Sequence, residues 1–311
     1  ITPVSIAAGK SLSGAITVSA GSIKLDEAGT LSSTIAMSGG TIDADESLTL
    51  SGALTQSGDI TIDVADNKTL TYSGSAISLG ANMLTLSGGG SLVSGGLTLN
   101  NADSKLLLNS ITLDNVSTSA NSLGIDVDNN STITSLSVAN ITPVSIASGS
   151  SLSGGITVTA GTLKLNETGT LASSISMSGG VLDADNSLTV SGALTHTGNI
   201  TLDVAETKTL TYTGDGINLG ANTMTLSGGG SLNNTNALVL SDPDSKLLLN
   251  WITVDNVSTT SDSLGLDVDA DSTVTSLTVA NITPVAIVSG SSLSGGITLT
   301  AGSLNLSEAG T

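Results

Sequence analysis

Aspartates spaced two apart are the residues of this chain whose type and spacing come closest to doing chemistry. They stand at Asp43/Asp45, Asp126/Asp128, Asp183/Asp185 and Asp267/Asp269/Asp271. On a strand, positions i and i+2 share a face. Ile125, Val127, Leu266 and Val268 fill the alternate positions, so the carboxylates should project outward together. Oxygen-rich clusters of this kind can hold Ca²⁺, which makes Asp126, Asp128, Asp267, Asp269 and Asp271 the candidate ligands. The pattern departs from an EF-hand: Asp267-Val-Asp-Ala-Asp271 lacks the Gly of loop position 6, and Thr278 stands where the bidentate Glu belongs. A solvated acidic face is the weightier reading and calcium the alternative; no other cofactor is expected.

Other chemistries find less support. Clustered carboxylates serve polysaccharide-cleaving enzymes, but the chain has no Arg to clamp an acidic sugar and almost no aromatic surface. The acidic pairs also recur along the chain, whereas a catalytic site needs one convergent arrangement. His196 is the only histidine, and its counterpart in the preceding repeat is Gln56, which reads as an exposed polar position. Serines are abundant without a partner base. The expectation is a protein that is not an enzyme. Thr-x-Thr segments such as Thr157-Val-Thr159 and Thr298-Leu-Thr300 do not recur in one column every coil, so they read as β-branched residues suited to strand surfaces.

What must position these residues is an interior built almost without aromatics. The 311 residues include 37 Gly, no Phe, no Cys, one Trp and two Tyr, so Leu, Ile, Val, Ala and Met are expected to fill the core alone. The 26 acidic residues face seven basic ones, all Lys. That balance speaks against phosphate-backbone and anionic-lipid partners, hence no nucleic acid and no membrane. Most lysines sit near acidic residues in sequence, suggesting local charge balance. No apolar run approaches the ~20 residues of a membrane-spanning helix.

Two periodicities organise the chain. Ile1-Thr-Pro-Val4 returns as Ile141-Thr-Pro-Val144 and Ile282-Thr-Pro-Val285, giving repeats at 1–140, 141–281 and the start of a third at 282–311. Residues 1–30 and 141–170 are identical at 22 of 30 positions. The start at Ile1 and the break at Thr311 suggest a window onto a longer array. Ser91-Leu-Val-Ser-Gly-Gly-Leu-Thr-Leu99 against Ser231-Leu-Asn-Asn-Thr-Asn-Ala-Leu-Val-Leu240 places the one-residue difference in a surface corner. Trp251 falls opposite Ser110, and a position that accepts either should not be packed inside.

Within each repeat, three apolar columns share a period of about 20 residues. One runs Ile16/Val18, Ile35/Met37, Leu54, Ile77/Leu79, Leu97/Leu99, Val116, Leu136/Val138. A second runs Ile23/Leu25, Ile42/Ala44, Ile60/Ile62, Leu84/Leu86, Leu106/Leu108, Ile125, Val144, and a third Leu31, Leu48/Leu50, Leu70, Leu92, Ile111/Leu113, Ile133, Leu152. Short alternating segments separated by Ser-Gly corners are strands and turns. The expected fold is all-β: a right-handed parallel β-helix (β-solenoid) with three short strands per coil of about 20 residues and about seven coils per repeat. At ~4.8 Å per level, about fifteen coils would stack to roughly 70–75 Å.

The string Ser153-Gly-Gly-Ile-Thr-Val-Thr-Ala-Gly-Thr-Leu-Lys-Leu165 recurs from Ser13 and from Ser294, in the last case through Glu308. It resembles the autotransporter-associated β-strand repeat. Met224-Thr-Leu-Ser-Gly-Gly-Gly-Ser-Leu232 and Leu84-Thr-Leu-Ser-Gly-Gly-Gly-Ser-Leu92 look like coils of autotransporter passengers and large haemagglutinin-type bacterial adhesins. That resemblance implies a secreted or cell-surface β-helix. The expected role is a stiff stalk or fibre, with neighbouring coils or identical subunits end to end as partners, and cell-surface or matrix components beyond them. The alternatives are a calcium-dependent adhesive module and, behind it, a polysaccharide-active enzyme.

Overall fold

The structure is a computed structural model that describes residues 2–307 and 310. Ile1, which opens the first repeat, and Glu308, which closes the third corner stretch, lie outside the described residues, as do two other positions of the 282–311 segment, 309 and 311. Among the described residues every regular element is a β-strand, two to eight residues long, and there is no helix. Strands separated by about 20 residues pair in parallel, as in Ser22–Leu25 with Thr41–Ala44 and Leu48–Leu50 with Thr69–Tyr72. This is the parallel β-solenoid that the columns imply. The chain divides into two compact units, 1–156 and 157–311, and the repeat boundaries near 140 and 281 fall inside them.

In the first unit one inward row runs Ile23, Ile42, Ile62, Leu86, Leu108 and Val127, each in direct register with the next. Beside it run Ile60, Leu84, Leu106, Ile125 and Val144. Across the core a second sheet stacks Leu48, Leu70, Leu92, Leu113 and Ile133. The third side carries Ile16, Ile35 and Leu54, then Ile77, Leu97, Val116 and Leu136. The second unit repeats the plan with Leu163, Leu182, Leu202, Leu226, Leu249 and Val268, facing Leu188, Leu210, Leu232, Val254 and Val274. Leu70, Leu84, Leu86, Leu226 and Leu249 are fully buried, and each such side chain contributes about 1.5–3 kcal/mol of transfer free energy.

Three details differ from, or sharpen, what spacing alone indicates. Spacing sets Ile42/Ala44 against Ile60/Ile62, but the structure pairs Ile42 with Ile62 and Ala44 with Val64. A slip of two residues keeps the same face inward, so alternation cannot detect it. The interior also takes both tyrosines: Tyr72 and Tyr212 are 3% and 2% exposed. The backbone of Gly74 lies so close that a Cβ there would sit 2.5 Å from the Tyr72 ring carbon Cζ, and at Gly214 it would meet the Tyr212 hydroxyl at 2.7 Å. Missing side chains thus make room for the rings. The phenol oxygens accept the Leu54 and Leu194 backbone N–H at 3.0 and 2.9 Å, which satisfies the polar end of each ring. Finally, the extra residue of the second repeat lies between the strands Ser231–Asn234 and Leu238–Leu240, in the corner that sequence comparison assigns to it.

Candidate functional site

The outward face of the first sheet carries a ladder of charge. Lys24, Asp43, Asp63 and Ser87 occupy successive levels in register, as do Lys164, Asp183, Asp203 and Ser227. Level spacing of ~4.8 Å sets each carboxylate above the next. The lysine at the head of each ladder neutralises the acids that follow. Lys24 Nζ lies 3.7 Å from Asp43 and pairs with Asp45, and Lys164 reaches Asp183 at 3.0 Å and Asp185 at 2.6 Å. At the lower end the serine hydroxyls of Ser87 and Ser227 donate to Asp63 and Asp203. Further pairs join Lys68 to Glu46 at 2.7 Å, Lys105 to Asp126 at 2.6 Å, and Lys246 to Asp267. Five of the seven lysines therefore act as local counterions.

Partial burial leaves a mark on the acids. Desolvation pushes the Asp43 and Asp183 carboxyls above the ordinary aspartate range, against the opposing pull of Lys24 and Lys164. The lysines move the other way on the stability scale. A hydrogen bond to Asp45 raises Lys24, and bonds to Asp185 and then Asp183 raise Lys164.

The structure separates the five calcium candidates. Asp126 is engaged by Lys105, and Asp267 by Lys246. Asp128 and Asp269 are the extra residues of β-bulges: Leu108 pairs with Val127 but Asn109 with Asn129, and Leu249 with Val268 but Asn250 with Ala270. Asp128 and Asp269 stay exposed, as alternation from the buried Val127 and Val268 implies, and the register shift falls just after them. Backbone carbonyls at these two positions accept the hydroxyls of Ser150 and Ser291 at 2.8 and 3.1 Å. Asp271 lies in the following corner, where Oδ1 accepts the backbone N–H and the hydroxyl of Ser292 at 2.8 and 2.9 Å. Among the described residues no three carboxylate, imidazole or thiol groups gather in a metal-binding cluster.

One misjudged position and one overlooked column stand out. His196 continues the column below Met177, in register with it, just as Gln56 follows Met37. It is half-buried, not exposed. Its Nδ1 lies 3.1 Å from the Gly198 carbonyl, which makes Nδ1 the protonated nitrogen, while its buried Nε2 has no partner. Gln56 instead spans to the Leu79 carbonyl at 2.9 Å. Trp251 is 51% exposed, as its exchange with Ser110 implies. Beside it, serine and threonine together fill a column that threonine alone does not: Thr209, Ser231, Thr253, Thr273 and Ser294 follow one another in register. The first unit has the same column in Thr69, Ser91, Thr112 and Thr132. Single sequences hide such columns because members lie a whole coil apart.

Compared with known proteins, the chain matches no family model, no curated protein and no solved structure.

Proposed function

We propose that the chain is a structural segment of an extracellular bacterial surface protein, a stiff solenoid that serves as a stalk or fibre for adhesion or matrix assembly. The observation that supports this reading most is the level-by-level stacking of aliphatic side chains in the inward rows of each unit. Leu84, Leu86, Leu106 and Leu108 repeat as Met224, Leu226, Leu247 and Leu249, and every level adds parallel backbone hydrogen bonds to its neighbour. Such an array gains stability by nearest-neighbour stacking and suits length more than enclosure. Neighbouring coils, or identical subunits end to end, are the natural partners of its open levels. The polar, acidic outer face suits solvent, and the bacterial surface setting rests on the resemblance to autotransporter passengers.

The calcium-dependent adhesive reading has less to stand on, since Asp126 and Asp267 already have lysine counterions. Electron microscopy of the intact parent assembly, with antibody labelling of whole cells, tests the proposal. Surface-exposed rods or filaments with a ~4.8 Å axial layer line are expected. Compact particles, or labelling only after lysis, would overturn it.

A further inference from the structure

We propose that a groove on the second unit, floored by Trp251, binds one uncharged sugar ring. The groove measures about 220 Å³ and is lined by Trp251, Asp271, Thr273, Ser292 and Ser294 along with backbone of Gly229 and its neighbour. It is smaller than the ~300 Å³ of pockets that enclose drug-sized ligands, so it suits a single ring with the rest of a chain running out along the surface.

The indole is mounted as a platform. Its six-membered ring packs against Gly229, where a Cβ would come within 2.9 Å of Cζ3, and the Gly229 N–H donates to the Trp251 carbonyl at 2.7 Å. Half of the residue remains open to solvent. An aromatic face accepts the C–H-rich face of a pyranose, while the ring's hydroxyls need both donors and acceptors at the edge. The groove supplies both: the Asp271 carboxylate as acceptor, the Ser292 hydroxyl bonded to it at 2.9 Å, and the Thr273–Ser294 hydroxyl pair at 2.8 Å. No lysine lines the groove, and Asp271 repels anions, which selects against acidic sugars. A single aromatic wall also falls short of the cage that quaternary ammonium ligands require.

The first unit contains the same corner without the platform. Ser110 replaces Trp251 and Asn130 replaces Asp271, yet Ser151 and Ser153 keep the same polar partners: Ser151 N–H and Oγ reach Asn130 Oδ1 at 2.9 and 3.1 Å, and Ser153 pairs with Thr132 at 2.7 Å. Ser110 and Trp251 also share a left-handed backbone, φ 58° and 56°. The corner geometry is therefore common to both units, and the two exchanges that distinguish the second unit both add recognition chemistry at one groove. This binding role is separate from the stalk role and does not depend on it.

Because Trp251 is the only tryptophan, its emission reports on the groove directly. The full chain would be titrated with cellohexaose, mannohexaose, xylohexaose and chitohexaose, each to about 10 mM, enough to fill a millimolar site. A saturable shift with at least one of them is expected. By calorimetry, Trp251→Ser should weaken that sugar by about tenfold or more, and Asp271→Asn by a smaller factor, with unchanged circular dichroism. Both variants install residues that the first unit already carries at these positions. The proposal is overturned if none of the four sugars perturbs the emission, if Trp251→Ser binds as well as the original chain, or if tetramethylammonium chloride perturbs the emission and the sugars do not.

Discussion

The two full repeats are a built-in comparison, one sequence written twice with small changes and folded the same way each time. Inward aliphatics exchange only for aliphatics, as in Leu84 and Met224, the buried Ser94 exchanges for a buried Asn234 in register with the tyrosine of its own copy, and both copies keep Tyr72/Tyr212 with their glycine recesses. Corners exchange freely: Ser110 for Trp251, and a corner one residue longer after Asn234. A further exchange lies between these classes, at Gln56 and His196, where a half-buried column position changed its hydrogen-bonding partner. The difference teaches that levels constrain what faces in, whereas corners leave the outer surface free to vary between copies.

The comparison breaks first if the cores are not equivalent. Leu86→Ala and Leu226→Ala should each cost about 3 kcal/mol in urea unfolding, because both side chains are fully buried in rigid rows. Costs differing by a factor of two or more between the copies would show that the levels are not interchangeable. Next in size, Tyr72→Phe and Tyr212→Phe should each lose about 1–2 kcal/mol, the consequence of leaving the Leu54 or Leu194 N–H unpaired. Near-zero losses in both would mean that water replaces the phenol.

Exchanging Gln56 and His196 probes a half-buried position where the copies diverge. His196→Gln should raise stability by about 0.5–1 kcal/mol, since the amide can donate to the Leu219 carbonyl as Gln56 donates to Leu79. Gln56→His should lower it by a similar amount, and thermal melts of the two variants read both effects. A stabilised Gln56→His would reverse the assignment.

The smallest effect concerns pH. Asp43 and Asp183 are raised in the folded chain, so the native state holds their protons more tightly than the unfolded state. Stability should therefore rise as pH falls from 7 toward the window just above the ordinary aspartate value of ~3.9. The raised Lys24 and Lys164 contribute stability below the ordinary lysine value that is lost as pH climbs above it. Asp183→Asn should flatten the acid side of the melting profile, and an unchanged slope would reject Asp183 as a source. Such half-exposed groups act weakly, and added salt should shrink what remains.

Much of the fold was legible because the coil period and the apolar columns share one cause: each inward side chain meets its own counterpart a level away. Leu70 over Leu92 over Leu113 could be read directly. The two-residue slip at Ile42 could not, since inward parity survives it. Tyr72 was hidden for a related reason, as composition counts side chains but not the glycine recess that admits one. The surface was less legible still. The register shifts beside Asp128 and Asp269 leave no trace in residue types. Trp251 could be placed outside by its exchange with Ser110, but the groove around it joins residues 20 to 43 positions away.

The backbone circles the solenoid axis while its hydrogen bonds run along that axis, so tension applied to one terminus bears on the outermost level before any other. That level can peel away alone and release roughly 60 Å of slack, about 20 residues of extended chain less one strand spacing. The levels behind it keep their rows of leucine intact and can recapture the strand when tension falls. A chain built this way would respond to sudden strain as a brake, yielding in increments of about one coil and rewinding in the reverse order.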